Sequence, residues 1–393
     1  MNNIRRLFEI SKKTDRRIIG LMSGTSLDGL DIALCQFNGS GLSTEVKLLN
    51  FITIPYPQDF KEDIKGIFSK ETISLEKLCL LNEKIGIVHA NYINRALSEW
   101  NIKAEAVDAI ASHGQTIFHA PFSKHQDPNY TNATLQIGDG DHIAVNTGIV
   151  TISDFRQKNI AAGGEGAPLA VYGDYILFNT PSHSTVLLNI GGIANITFLP
   201  SATSKGTMFS TDLGPGNTML DQFMQRKYQL YFDKDALYAK KGKVNQDLLN
   251  LLLDDLFFSL PLPKSTGPEL FNLKYLDSRL AKLQNGNLSN EDILATLCEL
   301  SAIAISRAIK DLKEKVILIP SGGGVHNPLL MERIKFYLPE TTLRNIEDYG
   351  ITADSKEAVL FALLANETLS GETINFKTET VKNICMGKVS FPQ

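Results

Sequence analysis

Residues 17–39 read RIIGLMSGTSLDGLDIALCQFNG, two apolar β-rich runs joined by a turn of glycine, hydroxyl residues and an acid. A two-residue hairpin needs only Asn-Gly or Asp-Gly at its tip. Here the turn uses Ser23, Gly24, Thr25, Ser26, Leu27, Asp28 and Gly29. Such a turn can aim several N–H groups at a phosphate, and glycine permits an approach or a positive φ that a Cβ would forbid. Taken alone, the plainer reading, a hairpin closed by glycine, stays open. The run VKLLNFITIPY (46–56) supplies a third strand, so the spacing predicts an antiparallel meander over 17–23, 28–37 and 46–54.

Beyond it, Leu75, Leu78, Leu81, Ile85, Ile87 and Val88 recur at helical spacing and predict a helix over 74–100. AVDAIASHG (106–114) reads as a buried strand ending in a glycine turn. ATLQIGDG and IVTISDF are further strands, with a short helix at 141–145 between them. A second cycle starts at Ser184: strands STVLLNIGG, IANITFLP and GTMFSTDLG, then a helix opened by GNTMLDQFMQRKYQ. Helices dominate 243–313, EKVILIPSGGG is a strand, and NPLLMERIKFYL and SKEAVLFALLANETL are helices. The order β-β-β-α-β-α occurs twice, which implies two α/β lobes on mixed sheets with helices on their faces. A ligand cleft between lobes is then expected.

At 393 residues the chain is too long for one ordinary core, and 43% hydrophobic with 21% charged residues is a globular balance. A formal net charge of −4 argues against a nucleic-acid partner. A polyanionic ligand must therefore be held by local devices. The four cysteines are scattered without metal-type spacing, as suits a reducing compartment. The basic N-terminus lacks an apolar core and reads as a solvated extension before the first strand. No window resembles a membrane span. The sequence reads as that of a soluble, cytoplasmic protein.

Three more glycine turns follow strands: Gly191-Gly192, Gly214-Pro215-Gly216 and Gly322-Gly323-Gly324. There is no GxxxxGK[ST] and no GxGxxG after the first strand. The Gly191 turn holds the same place in its meander as the first hairpin, so the two could clamp a triphosphate. Ser321–Asn327 leaves an apolar strand and opens a helix, which suits adenosine and α-phosphate contacts, with His326 beside the base. Asp212 ends the run TMFSTD before the glycines. It could be a general base on a rigid strand end, or an Asx-turn or cap residue for the helix beginning near Asn217. These residues leave both readings open. The spacing of His113 and His119 suits no zinc pair.

Together GLMSGTSLDGLDIAL, SHGQTIFHAP, DFRQKNIAAGGEGAPLA, LNIGGIANITFL, DLGPGNTMLD, STGPELFN and ADSKEAVLFALLA resemble the anhydro-N-acetylmuramic acid kinases, from about Gly20 to Ala365. The two hairpins and the Ser-Gly-Gly-Gly strand end resemble the phosphate-1, phosphate-2 and adenosine elements of the hexokinase–Hsp70–actin class. The resemblance implies a two-lobed actin-like (ribonuclease H-like) α/β fold with ATP and sugar in the interlobe cleft. Residues 1–165 would form the lobe with the phosphate-1 hairpin. Residues 166–352 would carry the phosphate-2 hairpin, the catalytic aspartate and the adenosine motif, and 353–393 would return to the first lobe.

The resemblance also implies an activity: hydrolytic opening of the 1,6-anhydro ring of 1,6-anhydro-N-acetylmuramic acid with ATP-dependent phosphorylation of O6, in peptidoglycan recycling. By it Asp212 is the base, and Thr116, Arg156 and Glu357 bind the sugar; His113 is expected to fix its loop or to touch the sugar. Arg156 would meet the lactyl carboxylate, unless it pairs with Asp154. Ser23, Gly24, Thr25, Ser26, Leu27, Asp28, Gly29, Gly191, Gly192, Asn195, Gly214, Gly216, Asn217, Gly322, Gly323, Gly324 and Asn327 bind ATP. Asp28 holds Mg²⁺, with Asp31 a weaker candidate. Asn159, Glu165 and Pro268 depart from the family pattern, which bears on specificity rather than catalysis. A homodimer is compatible with the sequence. Two alternatives are another sugar kinase of this fold and an actin- or Hsp70-like ATP-driven interaction protein. An Hsp70-like chain would need a substrate-binding domain after the ATPase, whereas the stretch after Gly324 is expected only to finish the fold.

Overall fold

The computed structural model describes residues 2–167, 169–180, 182–283, 288–371 and 385–392. Residues 372–384 and 393 of the expected C-terminal tail, and Pro168 of the AAGGEGAPL run, lie outside them. The chain packs as two compact units, Met1–Phe178 with Glu347–Gln393, and Asn179–Ile346. Both are mixed α/β units, the class that the element order predicts.

The first unit is built on a seven-stranded sheet. Its strands are β1 (Asp15–Ser23), β2 (Gly29–Asn38), β3 (Glu45–Pro55), β4 (Ala109–Ala120), β5 (Ala133–Ile137), β6 (Thr151–Ser153) and, from the chain's end, β12 (Lys388–Ser390). β1–β3 form the antiparallel meander, while β4 runs parallel to β1 and to β6. Successive side chains of β1 alternate between sheet faces. Ile19 and Leu21 join Leu81, Ile85, Ile93 and Leu97 of helix Leu75–Glu99 in one core cluster. Gly20 turns to the opposite face, where helix Lys356–Ser370 lies so close that a Cβ would stand 1.9 Å from the Ala358 carbonyl oxygen.

Three local expectations change. The expected N-terminal extension is helix Asn3–Lys12, capped by Asn2, with Ile10 buried and Arg6 Nη1 on the Gly148 carbonyl at 3.2 Å. Those contacts are with residues far along the chain, which no local pattern signals. Strand β4 does not stop at Gly114. Glycine takes φ 72° there, beside the Ile137 carbonyl oxygen, and pairing with β5 carries the strand to Ala120. The boundary near 165 instead falls after helix Ala170–Phe178, which packs on Lys356–Ser370. Lys356 pairs there with buried Asp174 at 2.9 Å.

The second unit has a five-stranded sheet ordered β11-β10-β7-β8-β9. Its strands are β7 (Ser184–Ile190), β8 (Ile193–Leu199), β9 (Phe209–Pro215), β10 (Val316–Ser321) and β11 (Thr342–Leu343). β7 pairs parallel with β10 and antiparallel with β8, which pairs antiparallel with β9. β7, β9 and β10 therefore point the same way, and their C-terminal ends share one edge. The long helix Asn290–Asp311 buries Leu294, Leu297, Cys298 and Ile305 in this core. Among the described residues, no helix is long and apolar enough to cross a membrane.

Candidate active site

The three glycine turns of the second unit meet at the common edge of β7, β9 and β10. The Gly191 carbonyl accepts the Asn217 N–H at 2.8 Å, and the Gly192 carbonyl accepts those of Gly216 at 2.9 Å and Thr218 at 3.1 Å. Gly322 has φ 84°, and a Cβ there would lie 2.6 Å from Asn189 Oδ1 and 2.8 Å from the Ile190 carbonyl oxygen. Asn217 Nδ2 donates to that same carbonyl at 3.3 Å. Asn327 caps helix Pro328–Tyr337, its Oδ1 accepting the Leu330 N–H at 3.0 Å. Around these turns lies a cavity of about 400 Å³, lined by Asn217, Gly323, His326 and Asn327 with Asp221 and Phe232. Burial pushes the Asp221 carboxyl up to about 6. Phe232 belongs to no motif that the sequence singles out, and Asp221, although it ends DLGPGNTMLD, has no assigned role there, because the cavity forms only when distant segments fold together.

Asp212 is not at the end of its strand, since β9 continues to Pro215. A bulge at Leu213 sets Asp212 opposite Asn195, which is itself opposite Asn189, so three polar residues form one cross-strand row. Asn189 had no assigned role in the sequence reading. The far side of β9 is covered by the 261–266 loop: the Asp212 N–H donates to the Lys264 carbonyl at 2.9 Å, and Asp212 Oδ2 accepts the Thr266 N–H at 2.9 Å. The helix that follows begins at Thr218 behind Asn217, with no side-chain cap. Asp212 is thus neither its cap nor an Asx-turn residue. It is a half-buried carboxylate on a supported strand.

In the first unit, turn 24–28 exposes Thr25, Ser26 and Asp28, while Leu27 takes φ 59° and buries its side chain. Ser23, expected among the ligand contacts, is 1% exposed, and its hydroxyl donates to Gln115 Oε1 at 2.5 Å. Asp31 is partly buried, which raises its pKa, and the Thr53 hydroxyl donates to it at 2.6 Å. No cluster of three or more acidic, histidine or cysteine side chains able to hold a metal occurs among the described residues. Asp28 and Asp31 suit an ion that takes one or two carboxylates and fills its shell with phosphate and water.

Arg156 and Glu357 line one cavity of about 180 Å³ with Met22, Leu169, Leu360 and Phe361. Arg156 does not pair with Asp154, which meets Lys388 instead. Its Nε and Nη2 point at His113 Nε2 at 3.1 and 3.0 Å, and Nη1 donates to the Gly166 carbonyl at 2.9 Å. Burial lowers the Arg156 pKa and the nearby Glu357 carboxylate opposes this. His113 is correspondingly neutral: burial, reinforced by Arg156, pulls it down to about 3. Its Nδ1–H meets the Gly114 carbonyl at 2.9 Å. Both ring nitrogens are engaged, so His113 orients Arg156, which accords with a fixing role rather than with contact to the sugar. Thr116 lies partly exposed on β4, its hydroxyl accepting Gln136 Nε2 at 3.3 Å. Asn159, one of the departures, is buried and accepts the Gly166 N–H at 2.8 Å, shaping the segment that receives Arg156.

A family model described as anhydro-N-acetylmuramic acid kinase matches residues 16–389. The chain is 51% identical to the anhydro-N-acetylmuramic acid kinase of Pseudoalteromonas atlantica, with 99% of both chains covered. Identity to the enzyme of the same name from Pseudoalteromonas translucida is 46%, again over 99% of both. For that of Caldanaerobacter subterraneus subsp. tengcongensis it is 39%, over 98% of this chain and 99% of the relative. Among solved structures, gluconate kinase from Lactobacillus acidophilus is similar at a TM-score of 0.43 and 10% identity, over 96% of this chain and 94% of that one.

Proposed function

We propose, from the premise that this chain belongs to the anhydro-N-acetylmuramic acid kinase family, that it opens the 1,6-anhydro ring of 1,6-anhydro-N-acetylmuramic acid with water and moves the γ-phosphate of ATP to O6. The second unit's glycine turns and the cavity beside His326 and Asn327 take the nucleotide. Main-chain N–H groups at a strand-to-helix turn are suited to phosphate oxygens. Thr25, Ser26 and the main chain of turn 24–28 take the outer phosphates. Asp28 would hold Mg²⁺, with Asp31 in support. The bound ion neutralises phosphate charge.

Arg156, oriented by His113, meets the lactyl carboxylate, a task for a planar cation. Glu357 and Thr116 contact the sugar ring. Asp212 takes a proton from the attacking water as its oxygen bonds to C1. The C1–O6 bond breaks, O6 bonds to the γ-phosphorus, and the phosphorus–oxygen bond to ADP breaks. The products are N-acetylmuramate 6-phosphate and ADP, and the proton passes from Asp212 to solvent. This reading places the enzyme in the cytoplasm, in cell-wall recycling.

One observation carries the assignment of the base. Asp212 is the half-buried carboxylate of the cross-strand row, held on a supported strand by the Thr266 N–H and spent on neither cap nor turn. The test is ADP release from the full chain with Mg-ATP, with and without the anhydro sugar, in ¹⁸O-water. Sugar-dependent turnover should place ¹⁸O at C1, and Asp212→Asn should lose about 10²–10⁴-fold in rate. An unimpaired Asp212→Asn variant, or label absent from C1, would sink the assignment.

A further inference from the structure

Behind turn 24–28 runs a buried chain of side chains that the mechanism above does not use. His89 Nε2 lies 2.9 Å from the Tyr56 hydroxyl oxygen, the Tyr56 hydroxyl donates to Ser23 Oγ at 2.9 Å, and Ser23 donates to Gln115 Oε1 at 2.5 Å. Gln115 Nε2 then reaches the Gly24 and Thr116 carbonyls, each at 3.4 Å. Tyr56 is 4% exposed, Ser23 and His89 1%, and Gln115 0%. Each hydroxyl has a single proton, so the direction of the chain is set. Tyr56 gives its proton to Ser23 and must accept one from His89, which is neutral because burial lowers its pKa to about 4. Ser23 gives its proton to Gln115 and has none for a phosphate oxygen.

Tyr56 also grips the other end of the turn: it follows β3, and its backbone N–H donates to the Asp28 carbonyl at 3.2 Å. One residue therefore holds residues 23 and 28 at once, and Gln115 holds Gly24 between them. Within the turn, short polar residues surround Gly24, and Leu27, in the left-handed region, adds a buried side chain and an N–H on the Gly24 carbonyl at 3.3 Å. Ordering such a segment costs about 1–2 kcal/mol per residue in backbone entropy, and a rigid frame meets that cost before ligand arrives.

We infer that Tyr56, Ser23 and Gln115 are positioning residues that preorganise turn 24–28 for the phosphates of ATP. The inference rests on the assignment of that turn to ATP. Two measurements separate the two claims, each on the full chain as wild type, Tyr56→Phe, Ser23→Ala and the double variant. The first is amide hydrogen exchange of the peptide covering 23–29. The second is steady-state ADP release, varying ATP and sugar separately. Tyr56→Phe leaves a buried N–H of His89 and the Ser23 oxygen without their partner, so exchange of the turn should quicken. The KM for ATP should rise about tenfold while that for sugar stays within about twofold. The double variant should be no worse than the worse single, because the two act on one chain.

Loss of thermal stability with exchange of the turn and the ATP KM both unchanged would overturn the inference, as would additive effects in the double variant. If Tyr56→Phe does not fold, Ser23→Ala, a one-atom deletion, decides alone by the same readings. If the wild type shows no sugar-dependent ADP release, the functional reading fails, and exchange of the turn still decides whether these residues hold it.

Discussion

Lowering the pH from 8 to 5 should remove about 4 kcal/mol from the stability of the first unit, through two buried histidines. His89 is held near pKa 4 and His113 near 3, against an ordinary 6.5, both mainly because burial disfavours the imidazolium. For a group whose folded pKa is depressed, the stabilising contribution is complete above the unfolded pKa and is lost as pH falls toward the folded one. At pH 5 the unfolded chain has taken up almost a full proton at each site, and the folded chain almost none. Each site then contributes 1.36 × (6.5 − 5), or about 2 kcal/mol, of destabilisation. His119, lowered by burial and by Arg156, acts with the same sign. Trp100, the chain's single tryptophan, ends helix Leu75–Glu99 in this unit, so its fluorescence reports unfolding there. Urea titrations at pH 8, 6.5 and 5 should show the loss in the wild type. His89→Gln and His113→Gln should each remove about half of the pH dependence while lowering stability at pH 8. A transition in the wild type that is unmoved between pH 8 and 5, or a double variant that keeps the full slope, would refute the reasoning.

Two further outcomes probe the ligand sites. Arg156→Lys cannot span both His113 Nε2 and the Gly166 carbonyl, so the sugar KM should rise about ten- to a hundredfold, with the ATP KM unchanged in the same kinetics. Asp221, with its carboxyl pushed up to about 6, gains a negative charge as pH rises in the cavity proposed for the nucleotide, so ATP affinity should weaken above pH 6. Asp221→Asn should bind ATP several-fold, about threefold to tenfold, tighter at pH 8 and show a flat profile by calorimetry. A variant whose profile matched the wild type would remove Asp221 from the nucleotide's surroundings.

Much of the fold was legible because its signals are local. Apolar runs of strand length, glycine turns and helical stripes each mark their own element, and the sheets assemble from them. The differences arose where a distant partner decides. Gly114 looks like a strand end until β5 supplies the carbonyl beside it. The N-terminal helix docks through Ile10 and Arg6 onto residues far along the chain. The sequence offers Asp154 as an alternative partner for Arg156, but β12 delivers Lys388 to Asp154 and leaves Arg156 to His113. The glycine turns carry a local signature, whereas the cavity wall at Phe232 has none, and Asp221, although it ends DLGPGNTMLD, gives no local sign that it faces a cavity. His89 and Tyr56 likewise carry no motif. Gln115 does lie in SHGQT, where its place beside Thr116 was the available signal.

The two hairpins that read alike from sequence are held by opposite means. The Gly191-Gly192 turn is tied by main-chain bonds to Gly216, Asn217 and Thr218, and a Cβ on Gly216 would stand 2.3 Å from the Gly191 oxygen. Deleting a side-chain atom cannot undo those ties; only added atoms can force them apart. The first turn has a main-chain tie from the Tyr56 N–H to the Asp28 carbonyl and otherwise hangs from the Tyr56 hydroxyl, the Ser23 hydroxyl and the Gln115 amide, where losing one oxygen breaks the chain. Sensitivity to side-chain truncation should therefore lie in the buried polar side chains of the first unit, whereas enlarged glycines should be felt in both, since a Cβ on Gly29 would stand 2.4 Å from the Ile54 carbonyl oxygen. A scan that truncated side chains would find the anchor of the first loop and pass over the main-chain ties of the second. That asymmetry follows from which atoms make the bonds in each turn.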